Sequence, residues 1–311
     1  MRLGGIHHIT AICTDPQRNI DFYAKVLGLR MVKLTVNFDQ PTAYHIYFGD
    51  ETGNPGTVLT FFSWPEMGPG RPGTGMATAL AFSVPSKSLP FWESRLKSAG
   101  VRVSREKRFG DELISLRDPD GLSLELVAKD EEGAPWEEGG IGRPSAISGL
   151  SGITLSEEGF EVTESALKRT LGMKSEGEEG GRFRHFVGND FVDVLCRPSM
   201  LRGLVAGGSI HHVAYRTPDD REQAAWRKKL VGDGLNVTPV INRHYFHSIY
   251  FREPGGVLFE IATDPPGFLI DESRDKLGTG FMLPPWLEKY RKELEGALPK
   301  VRLPGDGVVR P

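Results

Sequence analysis

Four times along the chain an alternating apolar segment leads into a short amphipathic stretch, and further alternating segments follow. Residues 7–32 (HHITAICTDPQRNIDFYAKVLGLRMV) predict a strand, a turn, a helix and a glycine-terminated exit. Residues 211–237 (HHVAYRTPDDREQAAWRKKLVGDGLNV) repeat that plan, with Pro-Asp in place of Asp-Pro before the helix and a Gly-Leu pair after it, as helix start and stop chemistry prefers. Weaker copies lie at 78–101 and 150–174, where apolar residues such as Leu167 and Leu171 keep helical spacing. Behind the helices come strand pairs joined by tight turns. ISLRDPDGLSLELVA (114–128) and SIYFREPGGVLFEIA (248–262) each end in a glutamate set in an apolar strand, Glu125 and Glu260.

This repetition predicts four βαβββ modules over 5–65, 76–130, 148–198 and 208–265, an α+β chain with curved mixed sheets. PEMGPGRPGTG (65–75) separates the first two modules. KDEEGAPWEEGGIGRP (129–144), acidic and turn-rich, reads as an interdomain linker. The expected division is therefore a domain at 1–130, a linker at 131–147, a domain at 148–268 and a helical tail at 269–311. The helix of that tail is expected around PPWLEKYRKELEGAL.

Bulk composition narrows the function little. With 311 residues, 39% hydrophobic and 25% charged, the chain is of ordinary globular make-up. Its formal net charge of −3 gives no reason to expect nucleic acid or an anionic membrane as partner. No apolar run approaches the ~18 residues of a membrane span, and Met1–Gly5 lead straight into a strand-like segment, so a cytoplasmic protein is expected. Two distant cysteines, Cys13 and Cys196, make no disulfide framework and read as small hydrophobes within strands.

The chemistry concentrates in the first and fourth modules. Both open on His-His, His7-His8 and His211-His212, and the fourth closes on Glu260. Two imidazoles and a carboxylate make the facial triad of mononuclear non-haem iron, with sites left over for substrate and oxygen. Strand alternation sends the members of each pair to opposite faces, so at most one of each faces a common cleft. The second and third modules start on Thr78-Ala79-Leu80 and Gly152-Ile153-Thr154, without histidine, and one metal site is expected rather than two. His244 and His247 have no counterpart in the first module, while His45 and His185 lie in strand-like runs suited to packing or a cleft wall. Trp64 is a candidate for a ring-shaped pocket. No nucleophile elbow, phosphate loop, HExxH or GxGxxG follows the pattern such motifs need.

The module plan, the HHI and HHV starts and FREPGGVLFEIATDPPGF together resemble the vicinal-oxygen-chelate superfamily, and within it the hydroquinone-type ring-cleaving dioxygenases, along about residues 4–300. The resemblance implies two glyoxalase-like domains and an ion held by His8, His212 and Glu260. It also implies polar groups around that ion at His7, His211, Arg243 and Tyr250. Tyr250 falls across the EPGG hairpin from Glu260, to within one residue of register, and Arg243 is suited to stabilising an oxyanion. The expected activity is Fe(II)-dependent insertion of O2 into a hydroquinone or related aromatic diol, with His211 or His7 as acid–base group and Tyr250 as hydrogen-bond donor. Mn(II) is the alternative ion. A lyase or isomerase around Zn(II) or Ni(II) is the alternative enzyme, and a non-catalytic binding or resistance protein is the third reading. Lyases of this type use a fourth ligand, often a second glutamate, and the matching stretch of the first module, TVLTFFSW (57–64), holds no acid. A homo-oligomer is compatible with this plan.

Overall fold

Two of the helices begin where the sequence supplies a side-chain cap. Asp15 accepts a hydrogen bond from the Arg18 backbone N–H, with Pro16 opening the helix, and Asp219 accepts one from that of Glu222. These contacts satisfy donors that the first turn leaves free. The computed structural model in which they are seen describes residues 1–131, 133–304 and the backbone of 309–310. Glu132 of the expected linker, and 305–308 and 311 of the expected tail, lie outside the described residues.

All four modules form. The first holds β1 (Ile6–Cys13), α1 (Pro16–Ile20), β2 (Arg30–Asn37), β3 (Gln40–Gly49) and β4 (Val58–Ser63). The second holds β5 (Met76–Val84), α2 (Leu89–Ser98), β6 (Val103–Arg108), β7 (Asp111–Arg117) and β8 (Ser123–Ala128). In the third are β9 (Gly149–Glu157), α3 (Glu161–Ser165), β10 (Lys174–Glu179), β11 (Arg182–Val187) and β12 (Asp190–Cys196). The fourth has β13 (Ile210–Thr217), α4 (Asp220–Gly232), a two-residue β14 (Ile241–Asn242), β15 (Phe246–Arg252) and β16 (Leu258–Pro266). Helices α1 and α3 widen into π turns, closed by Leu27 N–H to Phe22 C=O and Leu171 N–H to Ala166 C=O, both 3.0 Å.

The strands assemble into two curved mixed sheets of eight, making an α+β fold of two glyoxalase-like units. One runs β14-β15-β16-β13-β1-β4-β3-β2 and the other β10-β11-β12-β9-β5-β8-β7-β6. The first sheet thus joins modules four and one, and the second joins three and two. Each sequential half, 1–130 and 148–268, contributes one module to each sheet. A continuous apolar core runs through both units, from Leu3 to Leu303, with Trp92 and Trp226 buried in it. Cys13 is buried and Cys196 half-buried, both free and both in strands. Among the described residues no helix is long and apolar enough to cross a membrane.

The two hairpins read from sequence are closed by equivalent carboxylates. Asp118 accepts hydrogen bonds from the N–H groups of Asp120 (2.9 Å) and Leu122 (2.8 Å). Glu253 does the same for Gly255 and Val257, both at 2.9 Å. Against the second turn lies Glu157, buried, so close that a Cβ on Gly255 would meet its Oε2 at 2.3 Å. Burial, and then the charge of Glu253, push its carboxyl up to about 8.

The tail returns along β2 and β3. Phe281 bridges to Leu34, and the Tyr44 hydroxyl donates to the Pro299 carbonyl at 2.8 Å. The expected helix is present as α5 (Arg291–Ala297), preceded by a 3-10 turn at Glu288–Tyr290. Its anchor is Lys33, wholly buried, whose Nζ reaches Asp271 (2.6 Å), Glu272 (2.5 Å) and the Phe268 carbonyl (3.3 Å).

Two outcomes follow. Lys33→Met leaves the half-buried carboxylates of Asp271 and Glu272 without their shared cation and is expected to cost about 1.5–3 kcal/mol in denaturant unfolding. In the second case, Glu157 keeps its proton when folded and gives it up near pH 4.3 when unfolded. It therefore favours the folded state at low pH, and that contribution drains away as pH rises from about 4.3 to 8. Unfolding curves across this range are expected to show a decline that Glu157→Gln flattens.

Candidate metal centre

The antiparallel pairing of β1 with β13 brings the two His-His pairs together, and each strand is bulged at its first histidine. Ile6 and His8 face Tyr215 and Ala214 in succession, so His7 has no partner. Thr10 and Ala11 face His212 and Ile210, which leaves His211 without one. A bulge re-aims the extra side chain. His7 and His8 consequently meet, Nδ1 to Nδ1, at 2.9 Å, and His211 and His212 meet in the same way at 2.8 Å. Alternation therefore does not hold through either pair. His211 and His212 both line the same cavity, contrary to the expectation that only one could. His7 does not line it: it is buried behind His8, with Nε2 3.1 Å from the Thr263 carbonyl oxygen.

Glu260 completes the cluster. It is fully buried on β16, beside Ala214 of β13, and its Oε2 lies 2.9 Å from His212 Nε2 and 3.4 Å from His8 Nε2. One ligand atom from each of the three lies within 4.8 Å of the others, the one such grouping of three or more among the described residues. Apart from these contacts with each other and with His8, the buried His212 Nε2 and Glu260 Oε2 have no hydrogen-bond partner among the described residues. Orphaned polar atoms in a dry site are costly, and a cation among them would satisfy both. Burial works against ionisation of Glu260, yet His8 and His212 outweigh it and hold the carboxyl well below its usual range. Burial, and next to it a neighbouring histidine, keep His7 and His211 neutral, His211 down to about 3. Two imidazoles beside an ionised carboxylate are the donor set a divalent metal takes. Ser248 donates to Glu260 Oε1 at 2.5 Å and fixes its orientation.

Tyr250 stands directly opposite Glu260 in the β15–β16 ladder and lines the cavity. The Arg243 Nε donates to its hydroxyl at 3.1 Å, while Arg243 Nη1 pairs with Asp39 at 2.9 Å. Burial raises the Tyr250 hydroxyl above its usual range, aided by the charge of Glu260. The next residue, His244, takes φ +68°, a left-handed turn uncommon for a residue with a side chain. That turn folds β14 back into β15 and carries Arg243 over the site.

The cavity itself has about 350 Å³, the lower end of what small-ligand sites occupy. Beyond the groups already named, its walls include Phe38, His45, Tyr47, Phe62, Trp64 and Phe246. Trp64 Nε1 donates to Gln40 at 3.0 Å, tying the rim together.

Register shows why one side is open. Taking His8 and His212 as equivalent, Thr60 of β4 occupies in module one the place of Glu260 in module four, and Tyr47 of β3 the place of Tyr250. No acid stands there, in keeping with the stretch 57–64.

The second sheet shows the same frame without the site. Glu125 pairs across from Ala81, as Glu260 does from Ala214. Gly152 takes the place of His8, and a Cβ there would meet the Phe191 ring at 2.4 Å. Arg108, in the place of Arg243, bonds Glu125 at 2.5 Å, so a side chain supplies the countercharge. His185 is buried in this second sheet. His247 pairs with Asp220 at 2.6 Å, and His244 sits by Asp271 and Trp286, outside the cluster.

Sequence reading passed over Ser248, Asp39 and Tyr47. Ser248 was findable, since it lies two residues from Tyr250 on the same strand face. Asp39 and Tyr47 reach the site only through the curvature of the sheet, and no local pattern marks them.

Comparison with known proteins agrees with this geometry. The family model for the glyoxalase/bleomycin resistance protein/dioxygenase superfamily matches residues 5–126 and 155–261. The Bacillus subtilis (strain 168) protein named "Putative ring-cleaving dioxygenase MhqO" is 44% identical over 300 residues, covering 95% of this chain and 96% of its own. The chlorohydroquinone/hydroquinone 1,2-dioxygenase of Sphingobium indicum is 34% identical over 308 residues, covering 94% and 95%. A solved Bacillus subtilis structure, described as a "putative dioxygenase", superposes with a TM-score of 0.94 at 42% identity, over 96% of this chain and 98% of its own. Glyoxalase I from Zea mays, at 14% identity and a TM-score of 0.64, shares the fold over 84% of this chain and 92% of its own.

Glu260→Gln removes the anion between two imidazoles. Anaerobic dialysis against Fe(II) or Zn(II) with metal analysis is expected to show affinity lower by at least ~100-fold, whereas Glu125→Gln leaves it unchanged.

Proposed function

The chain belongs to the glyoxalase/bleomycin resistance protein/dioxygenase superfamily, and from that premise we propose that it is an Fe(II)-dependent ring-cleaving dioxygenase acting on a hydroquinone or related aromatic diol with O2. One observation carries this reading above the others: His8, His212 and Glu260 converge on a shared point while Thr60 stands where a fourth acid would stand. The site then keeps one side free, facing an aromatic cavity of ring size. Iron bound there would supply a Lewis-acid and redox centre on which a phenolate and dioxygen are held together. The same vacancy of acid disfavours a four-ligand lyase.

The chain's own groups then have distinct tasks. If His8 offers Nε2 to the ion, its proton sits on Nδ1 and points to His7 Nδ1. His7 in turn carries its proton on Nε2, toward the Thr263 carbonyl. Such a chain fixes the tautomer and the ring plane, and gives His7 a positioning role. In the other pair the same logic puts the His212 proton on Nδ1, toward His211. Among the described residues His211 Nε2 has no hydrogen-bond partner, so His211, in the cavity wall, meets the substrate as a donor. Tyr250 accepts from Arg243 and retains its own O–H for an oxygen of the substrate or of O2. Arg243, pinned by Asp39, supplies the fixed positive charge that favours a phenolate in this dry site.

Loading the chain with Fe(II) under anaerobic conditions and then admitting air with hydroquinone is expected to consume one O2 per ring opened. His212→Ala is expected to abolish that uptake. Uptake at the full rate by His212→Ala, or turnover of a thiol–aldehyde adduct without oxygen, contradicts the reading.

A further inference from the structure

The β3–β4 side of the cavity carries a polar device that the reaction as described does not use. His212 of β13 pairs with Thr10 of β1, Thr10 lies beside Thr60 of β4, and Thr60 pairs with Tyr47 of β3. These four residues make one row across the curved sheet, with Tyr47 three strand spacings, about 14 Å along the backbone, from His212. Both residues between them are threonines, short enough to leave room above. Tyr47 is also the counterpart of Tyr250 across the β1–β13 junction. The cavity is thus lined by two tyrosines, one paired across from Glu260 and one across from Thr60.

Tyr47 does not stand alone. Its hydroxyl lies 2.7 Å from His45 Nδ1, His45 Nε2 lies 2.8 Å from the Thr60 hydroxyl, and Thr60 lies 2.9 Å from Thr10. None of the four is more than 9% exposed. A neutral imidazole has one donor and one acceptor, and each hydroxyl can do either, so the chain runs as a whole in one of two directions. Run one way, Tyr47 donates to His45 and shows lone pairs to the cavity. Run the other way, His45 donates to Tyr47 and frees its O–H. The same side chain can therefore accept from a hydroxyl or donate to a carbonyl.

We propose that Tyr47, held by His45, receives the second ring oxygen of a para-diol and thereby sets a preference for hydroquinones over simple phenols. This rests on the reading of the site given above. One ring oxygen of such a substrate belongs at the cluster. The other points across the ring, toward the wall where Phe62 and Trp64 are apolar and Tyr47 and His45 are not. A ligand without that oxygen leaves the second hydrogen-bonding position of the Tyr47 hydroxyl unused and forgoes that contact, which is how a site built for hydrogen bonding disfavours an analogue.

Calorimetric titration of the Fe(II)-loaded, oxygen-free chain with hydroquinone and with phenol tests this apart from turnover. The unmodified chain is expected to bind hydroquinone about tenfold or more tightly than phenol. Tyr47→Phe is expected to bring the two within about twofold, with iron content and phenol affinity retained. Thr60→Val, whose side chain does not line the cavity, is expected to shrink the preference in the same direction by leaving His45 Nε2 unpartnered. Equal affinities in the unmodified chain, or a folded, iron-replete Tyr47→Phe chain that keeps the full preference, would overturn this role and leave the proposed reaction standing. No binding of either phenol would overturn both.

Discussion

Antiparallel pairing of β1 with β13 is the contact on which the candidate site depends. It joins the first and last modules and places two histidine pairs, some two hundred residues apart in the chain, in a single ladder. Closing so long a loop costs little more than closing a shorter one, because the entropic penalty grows only with the logarithm of length. What makes the junction specific is its pair of bulges. They give each strand one unpaired histidine, and each unpaired ring then meets the ring of its neighbour. Buried imidazoles need partners, and here each pair supplies them internally, leaving His8 and His212 with Nε2 turned toward Glu260.

From that symmetric start the chemistry becomes asymmetric. Glu260 has no acidic counterpart, because Thr60 stands in the equivalent place. Tyr250, bound by Arg243, and Tyr47, bound by His45, both line the cavity. The second sheet solves the same electrostatic problem differently. A carboxylate removed from water needs a countercharge, and for Glu125 it comes from the Arg108 side chain. Phe191 fills the space that a histidine at Gly152 would need. Glu260 pairs with no lysine or arginine among the described residues, and a cation held by it together with His8 and His212 would supply the countercharge.

Much of this was legible in the amino-acid order. The four modules, the hairpin turns at 118–121 and 253–256 and the triad of His8, His212 and Glu260 follow from periodicity, turn chemistry and repeated spacing, with family resemblance choosing which histidine of each pair. Tyr250 opposite Glu260 came from counting along one hairpin. Three features did not come through. The bulges are invisible because a strand with an extra residue has the same composition as one without, and strict alternation then misplaces His7 and His211. Sheet membership was hidden too, since modules one and two, like modules three and four, belong to different sheets while two pairs with three and one with four. The roles of Asp39, His45 and Tyr47 depend on curvature that brings β2 and β3 over the cluster, and curvature has no local signature.

The most direct test of the metal centre is its ligand shell. X-ray absorption on the chain titrated anaerobically with Fe(II) is predicted to show one iron per chain, bound by two imidazoles and one carboxylate, with the remaining scatterers exchanging when hydroquinone is added. Saturation at two irons per chain, or a shell holding fewer than two imidazoles, would contradict the account.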